Sequence, residues 1–164
     1  MKWKIEVSYK PETPDGIGQG ICQDMADLGL TGVASVRTAQ IYWIEGDINA
    51  NGVERICAEL LADPVTQDYA YSTSNGYASG QDNRASSSTD TWTIEVRFRL
   101  GVTDAVGDSV IKGVSDLGIS DVQSAQTGQK YWIRGRLDLP KLEMIAQQLL
   151  ANKVIQTVKI FDEH

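Results

Sequence analysis

Reactive side chains are scarce in this chain of 164 residues. Its single histidine, His164, is the last residue. Without a second one, a Ser-His or Cys-His nucleophile cannot be assembled. There are two cysteines, Cys22 and Cys57, and with one terminal histidine they cannot complete a four-ligand zinc site. Carboxylates are plentiful, but no isolated pair lies in the apolar sequence that would raise a pKa for acid catalysis. These absences point away from catalysis by the chain alone. No catalytic residue, cofactor or metal ligand is expected.

Long apolar runs are also missing. No stretch approaches the ~20 residues of a membrane span, and the amino terminus has no signal-peptide hydrophobic region. An excess of positive charge is lacking too: the formal net charge is −7, which disfavours nucleic acid or an anionic membrane as partner. The expected location is cytoplasmic. Cysteines stay reduced there, and the repeat described next places Ile111 and Ala146 at their matched positions. Cys22 and Cys57 therefore read as buried free thiols rather than a disulfide.

What the chain does have is a long internal repeat. Asp27-Leu28-Gly29-Leu30 is answered by Asp116-Leu117-Gly118-Ile119, an offset of 89 residues. The same offset relates Trp3-Lys4-Ile5-Glu6-Val7 to Trp92-Thr93-Ile94-Glu95-Val96, and Tyr42-Trp43-Ile44 to Tyr131-Trp132-Ile133. A unit this long has the size of a small domain rather than of a solenoid repeat. The expected organisation is repeat 1 over residues 1–71, a flexible tether over 72–91 and repeat 2 over 92–164. The tether is Ser, Thr, Asn, Gly and Asp with little to bury. Each half is near the lower size limit for an independent core, so the halves are expected to bury surface against each other.

Within each repeat the periodicities alternate. Trp3, Ile5, Val7 and Tyr9 alternate with polar residues as a half-buried strand, leaving Glu6 and Glu95 toward water. Ile17, Ile21, Met25 and Leu28 have helical spacing, with Gly29 as a left-handed cap; Val106, Val110, Val114 and Leu117 repeat the stripe. Gly16-Ile17-Gly18-Gln19-Gly20 lies where a phosphate could sit on a helix start, but it lacks the dinucleotide spacing and reads as a loop-to-helix turn. Residues 33–46 form either one long bent strand or a tight hairpin broken near Ala39-Gln40. A second helix carries Val53, Ile56, Cys57, Leu60 and Leu61 and cannot pass Pro64; its copy starts with a cap at Asp138 and Pro140 in its first turn. Closing strands are expected over Val65–Tyr71 and Val154–Ile160. The fold class is thus α+β: two ferredoxin-like β-α-β(β)-α-β repeats, antiparallel sheets with helices on one face, packed as a pseudo-twofold internal dimer.

The matched positions also differ in charge. Residues 1–71 carry 11 acidic and 5 basic groups, whereas residues 92–164 carry 9 of each. Glu45-Gly46-Asp47 becomes Arg134-Gly135-Arg136. If the repeats pair about a pseudo-twofold axis through these strands, an acidic end meets a basic one. Candidate pairing or contact residues in repeat 1 are Arg37, Gln40, Tyr42 and Trp43, with Glu45 and Asp47. Those in repeat 2 are Gln126, Gln129, Tyr131 and Trp132, with Arg134 and Arg136.

The stretch Ile56-Cys57-Ala58-Glu59-Leu60-Leu61-Ala62-Asp63-Pro64-Val65, with Asp27-Leu28-Gly29, Val33, Val36-Arg37 and Tyr69, resembles the PurS family. Repeat 2 is similar through Gly101-Val102-Thr103-Asp104-Ala105-Val106-Gly107, Leu117-Gly118, Gly128, Lys130 and Leu149-Leu150-Ala151-Asn152. PurS is the small subunit of phosphoribosylformylglycinamidine synthase. The resemblance implies a non-catalytic assembly subunit in purine biosynthesis. It would bridge a PurL-like, ATP-dependent synthetase and a PurQ-like glutaminase so that ammonia reaches the amidation site. It implies further that this chain is a covalent version of a PurS dimer, with two chains associating as a homodimer. The alternative is a tandem ACT-like module that senses a small ligand between its copies.

Overall fold

The computed structural model describes residues 2–73, 78–80, 91–99 and 101–162. β1 (Lys2–Tyr9) forms where expected, and Trp3, Ile5 and Val7 are buried. α1 (Gly16–Asp27) starts at Asp15, whose carboxylate accepts the Gly18 N–H at 2.9 Å. It stops at Gly29, at φ 80°. Beyond it, the Leu30 N–H reaches back to the Met25 carbonyl at 3.0 Å and the Gly29 N–H to Ala26 at 3.0 Å. That double closure satisfies carbonyls a helix end leaves orphaned. The repeated Asp-Leu-Gly motif is therefore a helix stop.

β2 (Val33–Gly46) is one unbroken strand, which settles the choice between strand and hairpin. α2 (Ala50–Ile56) is capped by Asn49 and runs into a π-helical turn over Cys57–Leu61. The turn closes with the Ala62 N–H on the Cys57 carbonyl at 3.0 Å, a wide exit ahead of Pro64. β3 (Gln67–Thr73) begins two residues later than expected, because the chain first makes a tight turn. There the Asp63 carboxylate accepts the Val65 N–H at 2.9 Å, and the Gln67 side chain accepts the Asp63 N–H at 2.8 Å. Val65 is left 77% exposed on that turn.

β4 (Ala78–Gly80) pairs antiparallel with β3, Tyr71 facing Ser79. Repeat 2 then supplies β5 (Thr91–Phe98), α3 (Ala105–Asp116), β6 (Val122–Gly135), α4 (Leu139–Ile145) with its own π turn (Ala146–Leu150), and β7 (Gln156–Asp162). Asp138 caps α4 as expected, accepting the Lys141 N–H at 3.0 Å. The turn before β7 copies that before β3, with Asn152 and Gln156 in the roles of Asp63 and Gln67. The architecture is α+β, with antiparallel pairing of β1 to β3 and of β5 to β7. Of the expected tether, residues 72, 73, 78–80 and 91 lie in strands. Residues 74–77 and 81–90, like His164, lie outside the described residues.

The chain divides into two compact units that cut across the repeats. Unit 1 comprises Met1–Thr13, Gln40–Asn83 and Thr103–Gly128; unit 2 comprises Pro14–Ala39, Arg84–Val102 and Gln129–His164. Strand order is β4-β3-β1-β2-β6 in unit 1 and β2-β6-β5-β7 in unit 2, each middle strand giving one half to each unit. The boundary in β2 falls between Ala39 and Gln40, within an unbroken strand.

Each core draws on both repeats. In unit 1, Trp3, Ile5, Val7, Ile44, Val53 and Ile56 are covered by Val110 and Val114 of α3. In unit 2, Ile94, Val96, Ile133, Leu142 and Ile145 are covered by Met25 of α1. The first helix of each repeat thus completes the core built on the other repeat's outer strands. Met25 and Val114 are fully buried, each contributing about 2 kcal/mol of apolar burial.

The expected apolar stripe holds in both first helices at Met25, Val110 and Val114 and fails at Ile17, Leu28 and Val106. Ile17 is 55% exposed, Leu28 54% and Val106 52%. The residues facing the strands are instead Gly18 and Gly107. A Cβ on Gly18 would lie 2.1 Å from the Val36 carbonyl oxygen, and one on Gly107 2.3 Å from that of Ala125. The helices come so close to the middle strands that only hydrogen fits, which turns the flanking apolar residues outward.

Candidate interaction surface

The helix starts hold no room for a phosphate, because the protein fills them itself. In unit 2 the Asp15 carboxylate caps α1 with one oxygen and accepts from Thr38 with the other, at 2.6 Å from its N–H and 2.7 Å from its hydroxyl. Asp104 does the same in unit 1 with Gly107 and Thr127. Each carboxylate sits on the positive end of a helix and ties it to a middle strand. Asp15 is 1% exposed. The glycine-rich turn is thus a helix–strand clamp, and its Asp-Thr pair had no signature in local periodicity. Among the described residues, no group of three His, Cys, Asp or Glu could hold a metal ion. Among them, too, no helix is long and apolar enough to cross a membrane.

The candidate contact residues fall on two faces. Strand alternation places Gln40 and Tyr42 with Ile44 on the helix-covered face of unit 1, and Gln129 and Tyr131 with Ile133 on that of unit 2. Tyr131 is 5% exposed and donates to the Gln129 side chain at 2.7 Å. Burial raises the phenol pKa of Tyr42 and pushes that of Tyr131 up to about 12. Tyr131 belongs to the core of unit 2, and Tyr42 is half-buried against that of unit 1. Opposite parity puts Trp43 and Glu45, with Gln126, on the outer face of unit 1. It puts Arg37, with Trp132 and Arg134, on the outer face of unit 2. Lys4 and Glu6 share the unit 1 outer face as an ion pair at 3.6 Å.

Each charge-reversed end has its own neighbour within its unit. Beyond Glu45, the Asp47 N–H donates to the Asp121 carbonyl at 3.1 Å, at the start of β6. Beyond Arg134, the Arg136 N–H donates to the Gly32 carbonyl at 2.9 Å, at the start of β2. Each end therefore meets the beginning of the other middle strand, because β2 and β6 pair head to tail.

Sequence reasoning gave Lys130 no role. It is 7% exposed, and its ammonium lies 5.1 Å from the Trp132 ring centroid, a cation–π distance. The matched position in repeat 1 is Ile41, which is fully buried. The Trp132 indole N–H is buried without a hydrogen-bond partner, a donor left in a low-dielectric setting. On the outer strand faces, Lys130 and Arg134 of unit 2 thus stand where unit 1 has Ile41 and Glu45.

A second asymmetry lies beside α4 and β7. A groove of about 490 Å3 is lined by Leu139, Glu143, Ala146, Gln147, Val158 and Ile160, all in unit 2. At the matched corner of unit 1, Val158 and Ile160 are replaced by Tyr69 and Tyr71. The Tyr69 phenol donates to the Glu54 carboxylate, which raises the Tyr69 pKa. Tyr71 meets Trp3 edge-on at 5.8 Å and 72°. Cys57, in place of Ala146, is fully buried, and desolvation, with Glu54 nearby, pushes its thiol up to about 12. Cys22 is half-buried, and both thiols are free. Repeat 1 places two phenol rings at this corner, where repeat 2 has the smaller Val158 and Ile160.

A comparison with curated proteins finds no match. The family model described as "PurS: Phosphoribosylformylglycinamidine (FGAM) synthase" matches residues 2–75 and again residues 91–163. Those two stretches take in every helix and all but one short strand. With both repeats matched, the chain belongs to the PurS family.

Proposed function

We propose that the chain is the non-catalytic assembly subunit of an FGAM synthase, two PurS-like repeats in one polypeptide. It holds a PurL-like synthetase beside a PurQ-like glutaminase in the cytoplasm, and supports passage of ammonia from one to the other. Two such chains associate as a homodimer. The observation that carries this reading is the double match to the PurS family over nearly the whole chain. The unequal outer faces support it. Glu45 and the Lys4–Glu6 pair offer one partner a mixed, acidic surface. Arg37, Trp132 and Arg134 offer another a basic, aromatic one. Charge complementarity of this kind sets orientation and encounter rate more than affinity.

Co-elution tests it directly. The chain is mixed with a PurL-like synthetase and a PurQ-like glutaminase, with ADP and glutamine present. A single complex containing all three is the expected result, with glutamine-dependent FGAM synthesis lost when the chain is omitted. Full glutamine-dependent synthesis by the two enzymes alone would refute the proposal.

A further inference from the structure

We propose that the groove between α4 and β7 receives a tyrosine carried on an extended segment of a partner protein, which adds to the outer edge of β7. Unit 1 supplies the template. Its corresponding strand β3 has its outer edge covered by β4, with Ala70, Tyr71 and Ser72 facing Gly80, Ser79 and Ala78. Its corner carries two phenol rings, one of them donating to Glu54 and the other edge-on to Trp3. In unit 2, β7 stands last in the strand order, and among the described residues no strand covers its outer edge. Its register on β5, with Val158 opposite Val96 and Ile160 opposite Ile94, turns Val158 and Ile160 toward α4. A strand added to β7 would alternate its own side chains in the same way. Every second one would point at the flank of α4, where the groove lies.

The lining names the occupant. Val158, Ile160, Ala146 and Leu139 form an apolar floor and wall, and Leu139 is left 48% exposed. Glu143 stands at the rim, at the position that in unit 1 receives a phenol. An apolar slot with one carboxylate acceptor suits a tyrosine, which has an apolar ring and a single donor at its tip. The backbone of β7 supplies the remaining hydrogen bonds, as in other cases of strand addition. The inference does not depend on which enzymes the chain assembles, and its test uses neither of them.

The test is an NMR titration of the full chain with the capped pentapeptide Thr-Val-Tyr-Val-Thr, in parallel with p-cresol. The peptide is expected to shift the methyl signals of Leu139, Val158 and Ile160 and the amides of β7. It should bind more tightly than p-cresol, which can use only the groove. Glu143→Gln, a change at an exposed side chain, should weaken the peptide about tenfold by removing a charged acceptor. Val158→Tyr, which puts a phenol where unit 1 has Tyr69, should abolish the shifts of the Leu139 and Ile160 methyls. The proposal is overturned if the peptide binds no better than p-cresol, if the β7 amides do not respond, or if Glu143→Gln binds as well as the parent.

Discussion

Gly18→Val is expected to be among the most damaging single substitutions in the chain, while Gly20→Ala two residues along should stabilise it. The new Cβ at position 18 would stand 2.1 Å from the Val36 carbonyl oxygen and 2.9 Å from its carbon. Both obstacles are backbone, so neither can swing away. α1 would have to lift off β2, dragging Met25 from a fully buried site. Overpacking against fixed atoms, with loss of the clamp beneath it, should cost about 3 kcal/mol or more. That is a large part of the 5–15 kcal/mol that holds a typical domain together. At Gly20 a Cβ would meet nothing within 4 Å. There, Gly→Ala in a helix should gain roughly 0.5–1 kcal/mol by restricting the unfolded chain. Urea midpoints of the two variants against the parent check both signs at once. Equal, small effects would mean that α1 does not lie against β2.

Asp15→Asn is the second large effect. The two side chains have nearly the same shape, so packing is conserved and the chemistry alone changes. One Asp15 oxygen accepts the Gly18 N–H, and the other accepts both the N–H and the hydroxyl of Thr38. Asparagine keeps one acceptor and turns an NH2 group toward one of those donor sets. The outcome is a buried donor facing a donor, plus loss of the negative charge at the helix start. A loss of about 2–4 kcal/mol is expected, since hydrogen bonds to charged groups are each worth roughly 1.5–3 kcal/mol. Thr38→Val, which keeps the backbone bond, should cost less than Asp15→Asn. The order of the two thermal midpoints decides whether the carboxylate or the hydroxyl holds the clamp.

Much of this molecule was written in its residue pattern. The constant offset located the two copies, period-two alternation found β1 and β5, and Gly29 and Gly118 marked the helix stops. The exchange of first helices was not legible. An amphipathic helix with Met25 or Val114 on its inner face reads the same whether it covers its own sheet or that of the other copy. Nor were the inner faces themselves fully legible, because the residues that touch the strands most closely are Gly18 and Gly107. Glycine carries no hydrophobic signal, so the stripe was drawn through Ile17, Leu28 and Val106 instead. The same limit affected the candidate contact residues. Tyr42 and Tyr131 alternate out of step with Trp43 and Trp132, and only the cores show which parity is covered.

The groove at α4 and β7 was visible in principle. Tyr69 and Tyr71 against Val158 and Ile160 is a large volume difference at matched positions. The meaning of that difference depends on which edge is covered, and strand order is a long-range property. Lys130 is similar. Its match to Ile41 is plain from the offset, but its place over Trp132 follows from alternation in a strand whose continuity the residues left open.

The central claim is that each core is built by both repeats, with α3 closing the core on β1 and α1 closing the core on β5. Methyl–methyl nuclear Overhauser contacts of Val114 in the intact chain test it most directly. The account predicts contacts from Val114 to methyls of repeat 1 in its own cluster, such as Ile5, Ile44 and Val53. Contacts from Val114 to Ile94, Val96 and Leu142 in their place would mean that each repeat folds on its own helix, and would contradict it.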